Sequence, residues 1–420
     1  MLIRNATFPD DTVRDVRIEG AQIAEVGEGL TVEPPAGAID ATGLRLLPGG
    51  IDVHVHVREP GFTQKETWES ATASAAAGGV TTVVDQPNTK PPTITGEAFD
   101  TKAALAESAH VDFGINGGVT PEWDPETLFE RPLFAVGEVF LADSTGDLGI
   151  DLDLFRAAVA RANEAGVPVT VHAEDASHFD ESVMNRTDAA AWSAYRPAEA
   201  EIAAVETAVD VATAQEASLH IAHTSTPEAV DIASEAGLTT EVTPHHLFLS
   251  TDDLDDLGTH GRMNPPLRDP ERREALWERL LDGTVDMVAT DHAPHTLEEK
   301  AVPLWDAPSG VPGVETMLPL LAAAAERDEI SYERIAEVTA RRPAEVFDIP
   351  QKGRIEAGYD ADLALFDPDP EPIEPKSLHT ACTWTPFEGW EGVFPIFTMV
   401  RGRIVYEDGR LGDPIGMNVR

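Results

Sequence analysis

The feature that most restricts the fold is an alternation repeated along the middle of the chain. Short apolar, β-rich runs at residues 51–57, 80–84, 113–119, 135–141, 168–172, 218–223, 239–243 and 285–291 are separated by stretches with helical spacing, among them 65–77, 152–165, 199–215 and 271–281. Parallel strands need long crossovers, and helices are the usual way to make them. Eight such units point to an α/β architecture, a closed (β/α)8 barrel of the TIM type. The competing layout, an open doubly wound sheet, normally carries a glycine-rich phosphate loop after an early strand. Here Ala77-Gly78-Gly79 precedes its strand and reads as a helix-to-strand turn.

At 420 residues the chain exceeds the roughly 250–300 at which a single core stops growing, so a second, smaller unit is expected. Its material lies at the two ends. Residues 1–47 and 351–420 hold short strand-like runs (13–18, 22–26, 362–366, 397–400 and 403–406) broken by Gly, Pro and acidic turns, with Arg401-Gly402-Arg403 as a tight turn. Both ends are expected to form one small β-sandwich domain, leaving 48–350 to the barrel.

The 75 acidic against 30 basic residues give a formal charge of -45, which argues against nucleic acid or an anionic membrane surface as a partner. Lysine is scarce, at positions 65, 90, 102, 300, 352 and 376 alone, and this acid-rich, lysine-poor pattern resembles haloarchaeal proteins. Such a surface is expected to need salt for stability. The single Cys382 rules out an intramolecular disulfide and suits a reducing cytosol. No secretory pattern and no run of 18 apolar residues is present, so a soluble, cytoplasmic enzyme is expected.

The chemistry concentrates at the ends of the strand-like runs. His54 and His56 sit two apart in the first, so on a strand both imidazoles share a face, which in a barrel is the interior. Further potential ligands, His172, His223 and Asp291, fall at the ends of runs five, six and eight. Barrel active sites form at the carboxyl ends of the strands. Imidazole nitrogen combined with carboxylate oxygen suits zinc in an open, hydrolytic site. The adjacent His245 and His246 are read as structural, and His292 is set aside because it projects differently from Asp291 on a continuing strand.

In this order, His-x-His, His, His, Asp over nearly the whole chain, the sequence resembles the amidohydrolase superfamily. Within it, the chain is similar to the dihydroorotases. The segments that carry the likeness are 54–61 (His-Val-His-Val-Arg-Glu-Pro-Gly), 86–91 (Gln-Pro-Asn-Thr-Lys-Pro), 262–268 (Arg-Met-Asn-Pro-Pro-Leu-Arg), 291–295 (Asp-His-Ala-Pro-His) and 308–313 (Pro-Ser-Gly-Val-Pro-Gly). The resemblance implies two zinc ions per subunit. One would be held by His54, His56 and Asp291, the other by His172 and His223, with a carboxylate bridging them. Many relatives bridge with a carboxylated lysine at the end of strand four, but no lysine lies between residues 103 and 299. Glu138 occupies the matching place and is the preferred bridge, with Asp143 left open as the alternative.

The implied reaction is the reversible closure of N-carbamoyl-L-aspartate to L-dihydroorotate in pyrimidine synthesis. In the hydrolytic direction, a water acidified by two divalent charges supplies hydroxide to the ring amide carbonyl. Asp291 is the expected general base and acid. Arg58 is the expected grip on the substrate carboxylate, from the same strand face as His56. His56, Asn88, Asn264, His295, Ser309 and Gly310 complete the substrate pocket by resemblance, and a homodimer is the assembly the family implies. Two other readings stay open. One is an allantoinase or a hydantoinase/dihydropyrimidinase-like enzyme, which has no need of Arg58. The other is a non-catalytic scaffold paralogue, which would have shed metal ligands that this chain keeps.

Overall fold

Eight strands of the central region are buried on both faces or nearly so, as parallel strands roofed by helices must be. The computed structural model describes residues 1–31, 37–141 and 148–420. Its barrel strands are β1 (Gly50–Val55), β2 (Val80–Asp85), β3 (Asp112–Ile115), β4 (Val136–Leu141), β5 (Val169–Ala173), β6 (Leu219–Ile221), β7 (Thr239–Val242) and β8 (Met287–Val288). All adjacent ladders are parallel: β1 to β2 to β3, and β4 to β5 to β6 to β7 to β8. Two parallel bridges, Gly117 with Val136 and Val55 with His292, join these two sets and close the ring. The strands match the expected runs in position; β2 runs one residue further, β5 keeps its length and the rest are shorter, β8 most of all. There the backbone of Ala289 still donates to Val242 before the chain turns away.

The crossovers are α1 (Trp68–Ala77), α2 (Gly96–Leu105), α3 (Pro125–Leu128), α4 (Leu152–Ala165), α5 (Ala198–Gln215), α6 (Pro227–Glu235), α7 (Pro270–Asp282) and α8 (Met317–Glu326). The expected first helix began at 65; it starts at 68 because Thr67 caps it, in a reciprocal box with Ser70. Asp151 and Asp269 cap α4 and α7 by simple N-cap bonds, accepting the N–H of Leu154 and of Arg272, and Pro270 sits at the first turn of α7, where its missing N–H costs nothing. The alanine-rich helices lie close on the sheet: α4 and α5 bury Ala158, Ala162, Ala204 and Ala208 against Val136, Val169 and Val171 of β4 and β5.

Strands from both ends of the chain join one nine-stranded sheet. Its order runs Arg410–Leu411, Arg403–Glu407, Pro395–Val400, Leu363–Phe366, Arg45–Pro48, Leu2–Thr7, Val13–Glu19 and Gln22–Gly27, with Ala38–Asp40 paired beside Leu2–Thr7. Ile3, Val16, Ile18, Leu46, Leu363, Leu365, Phe397 and Met399 form its apolar core. A buried charge cluster ties this sheet to the barrel. Lys352 Nζ lies 2.8 Å from Asp112 Oδ2 at the start of β3 and also pairs with Asp362, just ahead of Leu363–Phe366.

Candidate active site

His54 and His56 emerge from the end of β1, Glu138 stands in β4 and His172 in β5, His223 follows β6, and Asp291 follows β8. All six are buried, and all meet at the carboxyl end of the barrel. Glu138 is central. Its Oε1 lies 3.6 Å from His54 Nε2 and 3.7 Å from His56 Nε2, while Oε2 lies 2.8 Å from His223 Nε2 and 3.3 Å from His172 Nδ1. Asp291 Oδ1 lies 2.8 Å from His56 Nε2 and 3.5 Å from His54 Nε2. Gly137 makes this arrangement possible: its φ is +141°, and a Cβ there would overlap the side chain and carbonyl of Thr170 on β5.

The imidazoles are oriented from behind. His54 donates Nδ1–H to Glu241 at 2.6 Å, His56 donates Nδ1–H to Asn88 Oδ1 at 2.7 Å, and His172 donates Nε2–H to Glu174 at 3.0 Å. In each case the other ring nitrogen faces the cluster, where a bound metal would take its lone pair. Arg196 in turn holds Glu174, and His220 holds the second oxygen of Glu241 at 3.0 Å.

The donor set fits divalent cations. The ligand atoms of His54, His56 and Asp291 lie within 4.8 Å of one another, as do those of His54, Glu138 and His223. His54 Nε2 is buried with no hydrogen-bond partner among the described residues. The electrostatics agree. Burial works against a charge on His54, yet the Glu241 and Glu138 carboxylates override it and raise that histidine well above its usual value. Burial likewise opposes ionisation of Glu138, but His54, His172 and His223 hold it well below the carboxylate range. The carboxylates of this cluster thus hold a positive charge at its centre, which bound cations would supply.

Beside the cluster opens a cavity of about 340 Å³ lined by His56, Arg58, Asn88, Asn264, His295, Ser309 and Gly310, together with Glu138, His172, His223 and Asp291. The sequence-based pocket residues are therefore brought together. Arg58 arrives differently from expectation. Strand β1 ends at Val55, and Arg58 sits beyond it at φ +67°, so a loop, not a continued strand face, delivers its guanidinium. Among the described residues no carboxylate pairs with it, and Glu59 instead accepts the backbone N–H of Trp68 at 3.0 Å. Asn264 Oδ1 accepts Trp192 Nε1–H at 3.1 Å. Gly310 gives its own N–H to Arg262 O at 3.0 Å, and a Cβ on it would lie 2.6 Å from Ala293 O.

Of the histidines set aside, His246 bonds Thr243 Oγ1 at 2.9 Å and Pro265 O at 3.0 Å. His245 lies next to it with Nε2 unpartnered among the described residues. His292 does turn away from Asp291, though not by strand alternation: Asp291 itself has φ +45°, and His292 Nδ1 accepts the N–H of Gly313 at 3.1 Å. Asp143 lies outside the described residues. Sequence reasoning missed the orienting groups Glu241, Glu174 and Arg196, and the lining residues Phe140, Trp192 and Arg262. Glu241 had a signal, an acid inside an apolar run. Trp192 had none.

Residues 45–405 match the amidohydrolase family. The dihydroorotase of Halobacterium salinarum is 62% identical over 100% of this chain and 99% of its own length. That of Methanosarcina mazei is 42% identical over 93% and 90%. Among solved structures, an L-hydantoinase from Arthrobacter aurescens superposes with a TM-score of 0.95 at 28% identity, covering 100% of this chain and 99% of that one. The barrel with its terminal sheet, the histidine–carboxylate cluster and these full-length likenesses agree: the chain is a member of the amidohydrolase family and belongs with its dihydroorotases.

Proposed function

We infer that this enzyme interconverts N-carbamoyl-L-aspartate and L-dihydroorotate, the ring-closing step of pyrimidine synthesis. The observation that carries the reading is that one cavity holds both the histidine–carboxylate cluster and the Arg58 guanidinium, which no carboxylate of the described residues pairs with. An amide-cleaving centre and a carboxylate receptor share one space. The hydantoinase-like alternative accounts for the shared fold but leaves the Arg58 guanidinium without a task.

In this reading His54, His56 and Asp291 would hold one zinc ion and His172 and His223 a second, with the two oxygens of Glu138 available to both sites. When bound, such ions acidify a water to a pKa of about 7 and polarise the amide carbonyl. The protein's own groups do the rest. Asp291 accepts the proton of the attacking water on its free carboxylate oxygen and returns it to the leaving ring nitrogen. Arg58 anchors the substrate carboxylate, and the amide N–H groups of Asn88 and Asn264 are placed to meet ring carbonyls, since their oxygens are engaged by His56 and Trp192. Residues 48–350 would form the catalytic unit, with 1–47 and 351–420 forming its companion.

Side-by-side assays of dihydroorotate, allantoin and dihydrouracil with the zinc-loaded enzyme in high salt test the proposal. Turnover confined to dihydroorotate is expected; preference for a ring without a carboxylate would sink it.

A further inference from the structure

Asp291 follows β8 with φ +45°, a left-handed conformation that is uncommon for a residue with a Cβ and persists where the surroundings hold it. The holding groups stand on either side of it. The Thr290 hydroxyl accepts the backbone N–H of His292 at 3.0 Å, a side-chain turn that bends the chain through Asp291. The same hydroxyl donates its proton to Asp52 Oδ2 at 2.5 Å, and Asp52 Oδ1 accepts the backbone N–H of Thr290 at 3.0 Å. Beyond the turn, His292 O accepts the backbone N–H of His56 at 2.8 Å. Asp52 and Thr290 are fully buried, so bulk water does not compete for these bonds.

Asp52 belongs to β1, and its Oδ1 also accepts the backbone N–H of His54 at 3.2 Å. One carboxylate therefore ties the backbone of His54 to the turn that carries Asp291 after β8. Neither Asp52 nor Thr290 lines the cavity, so any part they play is played through the residues they hold.

We propose that Thr290, backed by Asp52, is a positioning residue for the reaction: its hydroxyl holds the left-handed turn at Asp291 and aims that carboxylate into the cluster, 2.8 Å from His56 Nε2. This rests on the dihydroorotase reading, in which Asp291 accepts the proton of the attacking water and returns it to the leaving nitrogen. A proton carrier serves only atoms within hydrogen-bond reach, so a change of backbone direction at Asp291 disables it. Without the hydroxyl, the His292 N–H loses its acceptor and the turn is released towards the commoner backbone regions. Arg58 stands on a different loop, the one after β1, so the loss falls on kcat ahead of KM.

The experiment joins steady-state kinetics of dihydroorotate at saturating zinc to crystal structures of the full-length proteins prepared without zinc, for wild type, Thr290→Val and Thr290→Ser. Valine keeps the branched shape and removes the hydroxyl, whereas serine keeps the hydroxyl. Thr290→Val should lower kcat about 10- to 100-fold, the usual loss for a group that supports a metal-ligating residue, and leave KM within about twofold. In its crystal structure Asp291 should leave the left-handed region and its contact with His56. Thr290→Ser should restore both the rate and the turn. Thr290→Ala takes the place of the valine variant if that one does not fold. An unmoved Asp291 in a folded variant without the hydroxyl overturns the inference, and so does an unchanged kcat or a loss that serine fails to restore. If wild type itself does not turn over dihydroorotate, the functional reading falls, and the crystal structures alone decide whether the Thr290 hydroxyl holds the turn.

Discussion

His54 Nδ1 and Glu241 Oε1 lie 2.6 Å apart in the barrel interior, and the same carboxylate takes His220 Nε2 at 3.0 Å and the backbone N–H of His223 at 3.1 Å. One glutamate on β7 thereby aligns ligand-bearing residues on β1 and after β6. Groups that orient a metal-bound histidine typically matter about 10–100-fold for metal affinity. Glu241→Gln should weaken zinc binding by about that factor, read by competition against a chromogenic chelator. Unchanged affinity would reduce Glu241 to a packing role.

The two oxygens of Glu138 face different pairs of histidines, and an amide cannot serve both sides alike. Glu138→Gln is expected to lower bound zinc from two per chain towards one, and to cost more activity than the roughly 10–100-fold of an outer group. Metal analysis on the purified variant gives the answer. Full stoichiometry and full rate would transfer the bridge to another carboxylate, with Asp143 next in line.

Arg58 is buried and free of carboxylate partners among the described residues, so it is held ready for an anion. Replacing it with methionine should raise the KM for dihydroorotate about 10- to 150-fold, the equivalent of losing ~1.5 to 3 kcal/mol of charge-assisted hydrogen bonding. Circular dichroism and zinc content should stay as in wild type. Near wild-type kinetics would remove Arg58 from recognition.

The formal charge of -45 makes self-repulsion a large term in dilute buffer, where charges act over roughly 10 Å at 0.1 M salt but only ~3 Å at 1 M. The melting temperature should climb as KCl rises from about 0.1 M towards molar concentrations. A flat or falling trend in a calorimetric series would contradict this, whatever the enzyme's activity.

The barrel and most of the cluster were legible in the sequence because strand alternation and ligand position obey the same two-residue period: His54 and His56 declare a face, and the other ligands recur at equivalent strand ends. Arg58 reaches the pocket by a route other than strand alternation, since the left-handed backbone at that residue breaks the two-residue period. The roles of Glu174 and Glu241 are hidden in the sequence for a different cause, although Glu241 is conspicuous there as an acid inside an apolar run. A buried acid is recognisable only through its partners, and those partners, His172 with Arg196 and His54 with His220, are distant in sequence or, like Glu174 and His172, joined by a side-chain reach that no spacing rule encodes.

The shared terminal sheet sets an order of events during synthesis. Strand Arg45–Pro48 is made early, yet its antiparallel neighbour Leu363–Phe366 is translated only after the whole barrel sequence has been synthesised. For all that interval the nascent chain carries an open strand edge ending one residue before β1. Such an edge invites pairing with the wrong chain. A chain cut short before residue 363 would accordingly leave Arg45–Pro48 paired on one side only, by Leu2–Thr7.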